Sequence, residues 1–140
     1  MEHSCVFCRI VNGRLPASKV YEDEEVLAIM DINPINNGHL LVMPKQCYTL
    51  LKDVPNELAL KVFAVLLKIE KVMWDIEGVR CEGTNVLQNN GKSAWQEVNH
   101  VHFHIIPRFK SDSFKIKYEM KKPSRATLQL LSERIKEQLG

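Results

Sequence analysis

His100, His102 and His104 alternate along the stretch HVHFHIIPR, His100–Arg108, in a chain with five histidines. Successive side chains of an extended strand point to opposite faces. The three imidazoles would therefore share one face, roughly 6.5–7 Å apart. Val101, Phe103 and Ile105 would face a core. Such a row supports two chemistries. Histidines at i and i+2 can chelate a metal, which for catalysis also wants a carboxylate or a third histidine and an open position. A neutral imidazole is also a nucleophile near pH 7, and a protonated neighbour can hold phosphoryl oxygens. The loop before the strand, NGKSAWQEV, favours phosphorus. Gly91, Ser93 and Gln96 offer backbone N–H, hydroxyl and amide groups suited to phosphate oxygens. Glu97 stands alone, so no well-spaced carboxylate pair is on offer.

Cys5 and Cys8 form a second chemical feature, a C-x-x-C pair. With no strand before it, the pair reads as metal-binding rather than thioredoxin-like, and it needs two further ligands.

The elements that must position these groups are legible in outline. Phe7–Gly13 has helical spacing and a glycine stop. KVYED and Glu25–Ile32 read as a hairpin, Asn33–Gly38 as a turn, and His39–Lys45 as a buried strand. A long helix is predicted from Pro55 to Glu77, with Leu58, Val62, Val65, Leu66, Ile69, Val72, Met73 and Ile76 on its core stripe. TNVLQN follows as a strand. The tail ATLQLLSERIKEQL reads as an amphipathic helix with Leu128, Leu131, Ile135 and Leu139 on one face, for packing or a subunit contact. Strands and helices in this order predict an α+β fold rather than alternating βαβ units.

A length of 140 residues predicts one domain, 1–140. At 45% hydrophobic and 26% charged, the composition is that of an ordinary globular protein rather than a disordered or membrane chain. The longest apolar run, Val62–Leu67, is too short to span a bilayer. The start MEHSCVFCRI shows no leader pattern, so a cytoplasmic location is expected, with a nuclear pool compatible. A net charge of +2 names no partner. Seven basic residues against two acidic from Arg108 to Arg125 read as a solvated edge rather than a nucleic-acid site.

QNNGKSAWQEVNHVHFHIIPR resembles the signature of the histidine-triad nucleotide-binding proteins, with Gln four residues before the first histidine. FCRIVNGRLPASKVYEDEEVLAIMDINPINNGHLLVMPK is similar to the N-terminal half of that family's phosphoramidate-hydrolase branch. Together they cover about residues 4–109, with the triad signature at 96–108 and a C-terminal extension from about 110 to 140. The resemblance implies a histidine-triad fold of a five-stranded antiparallel sheet with two main helices, here with an extra C-terminal helix. It implies a homodimer whose sheets join, and hydrolysis of a purine nucleotide at its α-phosphorus through a nucleotidyl-histidine.

On that pattern His102 is the nucleophile, His104 holds a phosphate oxygen, and Gln96 sits near the leaving group. His39 supports the triad from behind. Asn89 and the backbone around Gly91 and Val98 complete the phosphate site. Asp31 holds the ribose hydroxyls, and Val6, Phe7, Ile10, Ile29 and Ile32 form the base pocket. No catalytic metal is implied. Several family members carry a structural zinc, which maps here to Cys5, Cys8, Cys47 and His100, with Cys47 replacing the usual histidine. Two departures stand out. Trp95 occupies the place of the family's usual glycine before the Gln, with two expectations open: an indole that narrows the leaving-group side, or one that turns away into a packing site. Glu97 replaces a phosphate-touching serine and is expected to point outward. Lys92 and Arg108 are the basic residues nearest the signature that a polyphosphate could use. The same signature also fits a dinucleoside polyphosphate hydrolase, or a nucleotide-binding scaffold with incidental turnover.

Overall fold

The computed structural model describes residues 5–140. Met1–Ser4, part of the start read for a leader, lie outside the described residues. Helix α1 (Val6–Val11) is followed by strands β1 (Lys19–Glu22), β2 (Val26–Met30) and β3 (Leu40–Pro44). Helix α2 (Asn56–Val72) leads to β4 (Gly83–Gln88), β5 (Phe103–Arg108) and helix α3 (Arg125–Leu139). The strands form one antiparallel sheet in the order β1-β2-β3-β5-β4. The fold is therefore α+β with five antiparallel strands, as the sequence predicts.

β2 and β3 read as unbroken apolar runs because both faces of the sheet's centre are covered. Val26, Ala28, Leu40, Val42 and Ile105 face α2, where Leu58, Val62, Val65, Leu66 and Ile69 complete the main core. Leu27, Ile29, Leu41 and Met43 face the other way, against Phe7 and Ile10 of α1. Leu41 pairs with His104 in the ladder, so His104 lies on the α1 face. Val101, Phe103 and Ile105 pack into the α2 core as expected.

Two boundaries and one packing surface differ from the sequence reading. β5 begins at Phe103, so His100 and His102 precede the ladder. Its last rung with β3 is Val42–Phe103. Pro44 has no N–H to extend that ladder, and Val101 donates instead to the Tyr48 carbonyl at 2.7 Å. Helix α2 ends at Val72 rather than Glu77, and Val72 and Ile76 are exposed, not core. The chain unwinds there to turn back toward β4, with the Cys81 N–H bonded to the Met73 carbonyl. Third, α3 forms where expected, N-capped by Ser124, but none of its residues is buried. Within this chain it packs no core.

The turn between β2 and β3 is tightened by Gly38 at φ +100°, where a Cβ would meet Val79 Cγ2 at 2.9 Å. It returns the chain so that the Asp31 N–H bonds the His39 carbonyl, holding these two side chains as neighbours.

Candidate active site

The α1 face of the sheet carries a cavity of about 990 Å³. His102 and His104 stand in its floor, with Asp31, His39 and Asn89 around them. Val6, Phe7, Ile10, Ile29 and Val98 supply apolar wall. Ile32 belongs to the wall too but is 88% exposed, at the mouth. The fold therefore brings most of the residues that the resemblance implies into one place.

Hydrogen bonds fix each imidazole's tautomer, because a carbonyl can only accept and a backbone N–H can only donate. His102 Nδ1 lies 2.7 Å from the His100 carbonyl, so it carries the proton and leaves Nε2 with a lone pair. The Ile35 N–H donates to His39 Nδ1 at 3.0 Å, so the neutral ring carries its proton on Nε2. That Nε2 stands 2.9 Å from His104 Nδ1 and 3.4 Å from Asp31 Oδ2. His104 Nδ1 therefore accepts, and its own proton sits on Nε2. The two triad rings thus present opposite functions, a bare nitrogen on His102 and an N–H on His104.

Burial pushes the pKa of His39 and of His102 down, because desolvation penalises the charged ring. For His104 burial, then the neighbouring His102 and His39, push it down to about 4. His104 is neutral at pH 7. His104 therefore offers a neutral N–H, where the sequence reading expects a protonated imidazole to face phosphate.

Gln96 and Gly91 occupy a different place from the one the signature suggests. Gln96 is buried and accepts the Gly91 N–H at 2.7 Å through Oε1. Its Nε2 donates to the Thr49 carbonyl at 2.7 Å and the Val98 carbonyl at 3.1 Å. Both residues are bound to each other and to the backbone behind the cavity wall. Glu97 is exposed yet lines the cavity, so it does not simply turn away. Arg108 is committed to Asp112 through two contacts of 2.8 Å, and to Asn85 and the Phe114 carbonyl. It anchors the chain after β5 instead of facing the cavity. That chain supplies the wall residues that signature reasoning missed, Phe114, Lys115, Ile116 and Lys117. Their alternation of apolar and basic residues is visible in the sequence, but what it covers is not.

The C-x-x-C pair opens α1. Cys5 caps the helix by accepting the Cys8 N–H, and both sulfurs approach His100 Nδ1, at 3.3 and 3.6 Å. His100 donates through Nε2 to the Pro44 carbonyl at 2.8 Å, which leaves Nδ1 free of a proton. Cys47 completes the group, and the four ligand atoms lie within 4.8 Å of one another. Tetrahedral zinc needs S and N ligands roughly 3.5–3.8 Å apart, so the set fits that ion. Burial, then Cys5 and Cys47, push the Cys8 thiol up to about 12, so a cation would have to displace its proton. Asp31, His39 and His104 also bring ligand atoms within 4.8 Å, but these already bond one another.

An antiparallel sheet with alternating histidines over a nucleotide-sized cavity defines a histidine-triad protein. The HIT domain family profile matches residues 12–111, and the chain belongs to that family. An uncharacterized HIT-like protein of Methanocaldococcus jannaschii is 45% identical over 114 residues, 81% of this chain and 86% of that one. An adenosine 5'-monophosphoramidase of Candida albicans is 40% identical over 107 residues, 75% of this chain and 70% of its own. A HIT family crystal structure from Bacillus subtilis superposes with a TM-score of 0.89 at 38% identity, covering 97% of each chain. A zinc-bound histidine triad protein of Mycobacterium smegmatis gives a TM-score of 0.76 at 37% identity, over 96% of this chain and 99% of the other.

Proposed function

We propose that the protein hydrolyses purine nucleoside phosphoramidates, by attack of His102 on the α-phosphorus. The observation that carries this reading is the pair of opposed tautomers. His102 Nε2 has a lone pair to give, and its Nδ1–H rests on a carbonyl that accommodates the positive charge formed on attack. His104 Nε2–H donates to a non-bridging oxygen as negative charge grows there. Asp31 accepts from the ribose hydroxyls while the base lies against Phe7 and Ile10. The leaving nitrogen takes a proton from solvent, the P–N bond breaks as the P–Nε2 bond forms, and the amine departs. Water then attacks the phosphorus, His102 departs, and the nucleoside monophosphate is released.

Gln96 and Gly91 set the shape of the loop beside the phosphate. Zinc, where bound, supplies no chemistry to this reaction but clamps α1, and with it Phe7, to the start of the triad strand. Phe7 stands edge-on to His102 with ring centroids 5.0 Å apart. We place the whole chain in one histidine-triad domain acting in the cytoplasm, where free cysteines persist. No described helix is long and apolar enough to cross a membrane. We also propose a homodimer, supported by the uncovered apolar side chains of α3.

Lys115 and Lys117 on the cavity wall favour a second reading, a dinucleoside polyphosphate hydrolase, because a polyphosphate leaving group wants cations there. A substrate panel decides between them. Adenosine phosphoramidate is expected to exceed diadenosine tri- or tetraphosphate in kcat/KM by about tenfold or more, which is about 1.4 kcal/mol. The reverse order supports the second reading. Tight nucleotide binding with no turnover of any of these supports a scaffold role, and a rate abolished by brief EDTA treatment supports a catalytic metal.

A further inference from the structure

Trp95 breaks a local rule of backbone chemistry. Its φ of +68° and ψ of 26° lie in the left-handed region, which suits glycine and crowds any Cβ. The indole gains little by packing, since the residue is 72% exposed. Nor is the conformation a slack loop's accident. Gly91 accepts from the Ala94 and Gln96 N–H groups, and Lys92 accepts from that of Trp95. The buried Gln96 carboxamide then ties the next residue to Thr49 and Val98. A costly conformation so over-determined, carrying a large uncovered aromatic, points to a use outside folding.

The sheet order says where that use lies. Asp31, just after β2, and the apolar base wall of β2 and α1 lie at one end of the cavity. β4 carries Leu87 at the other end, and His104 of β5, with His102 just before that strand, stands between them. Trp95 belongs to the loop that leaves β4, and it lines the cavity with Asn89 and Phe114. A nucleotide with its ribose on Asp31 and its phosphorus at His102 therefore directs its leaving group toward Trp95. The cavity, about 990 Å³ and near the upper end of the range for small-ligand sites, leaves space for a leaving group beside the nucleotide.

We infer that Trp95 is a specificity-determining residue that stacks its indole on a flat aromatic leaving group. This rests on α-phosphorus hydrolysis and names the class of amine that the site prefers. The test uses two adenosine 5'-phosphoramidates, one with 2-phenylethylamine and one with methylamine as the leaving group. The parent is expected to favour the aromatic amine at least fivefold in kcat/KM. Trp95→Gly, which suits the backbone, brings the ratio to within twofold of unity, and Trp95→Phe keeps most of it. Equal use of both amines by the parent, or the full ratio retained in Trp95→Gly, overturns the inference. Fluorescence gives a readout independent of turnover. In Trp74→Phe, Trp95 is the one remaining tryptophan. The aromatic amidate is expected to shift or quench its emission more than the methyl amidate does. Failure of both substrates to turn over sinks the phosphoramidate reading alone. An equal emission response to the two compounds sinks the stacking.

Discussion

Four histidines near one another have four separate assignments, three set by a backbone partner and one by a neighbouring imidazole. The Ile35 N–H fixes His39, which fixes His104; the His100 carbonyl fixes His102; the Pro44 carbonyl fixes His100. His39→Ala should therefore lower kcat tenfold or more while KM for the nucleotide moves less than about threefold, because His104 loses the donor that orients it. Steady-state kinetics on the folded variant, with its melting temperature as control, tests this; a pure KM effect contradicts it. At Asp31 the opposite split holds. Asp31→Asn raises KM at least tenfold, since an amide cannot accept both ribose hydroxyls, and kcat falls less. Isothermal titration with the nucleoside monophosphate checks the binding half.

At this scale the shared face of His102 and His104 was legible from period-two alternation, whereas Asp31 and Phe7 came only with the family resemblance. The clamp made by Gln96 was not. It depends on a carbonyl at Thr49, 47 positions away, and on a loop whose shape no pattern encodes. Trp95 showed only as a departure from the family's glycine; the strain behind it became visible with φ.

Among the elements, β5 and the turn that enters β3 carry the pH dependence. His39 and His104 are buried neutral, with pKa values pushed below the usual value near 6.5. Their contribution to stability is full above that value and is lost as pH falls toward the folded pKa, about 4 for His104. Each such group adds at most about 1.4 kcal/mol per pH unit across that window. Urea midpoints should accordingly be lower at pH 5 than at pH 7.5, and a midpoint unchanged over this range contradicts the neutral pair. On the opposite sheet face, Leu66 of α2 is buried in the main core. Leu66→Ala should cost about 2–5 kcal/mol, measured as a lower urea midpoint at unchanged slope. The stripe of α2 was readable from spacing, but its end was not. Apolar periodicity runs on through Ile76, while the helix stops where the chain must reverse to reach β4. The start of β5 was hidden for a similar reason, since the missing N–H of Pro44 acts on a strand far away in sequence.

For the whole molecule, the four-residue ligand set joins α1, the segment after β3 and the start of the triad strand. Protein purified without chelator is expected to contain about one zinc per chain by elemental analysis. Removing it should lower the melting temperature, and Cys47→Ala should weaken retention of the ion. Protein free of zinc as isolated contradicts this assignment. Helix α3 buries no side chain within its own chain, so its removal should leave the core intact and reduce the mass seen by light scattering from dimer to monomer. A truncated chain that remains dimeric assigns the contact elsewhere.

The account turns on a covalent bond between His102 and the nucleotide. Intact-mass spectrometry of protein quenched in acid-free denaturant during turnover of adenosine phosphoramidate measures it directly. A species heavier by one adenylyl group, mapped to His102 and lost in His102→Ala together with at least a thousandfold of activity, is the predicted result. Turnover by His102→Ala within tenfold of the parent, or an adduct on another residue, would contradict it.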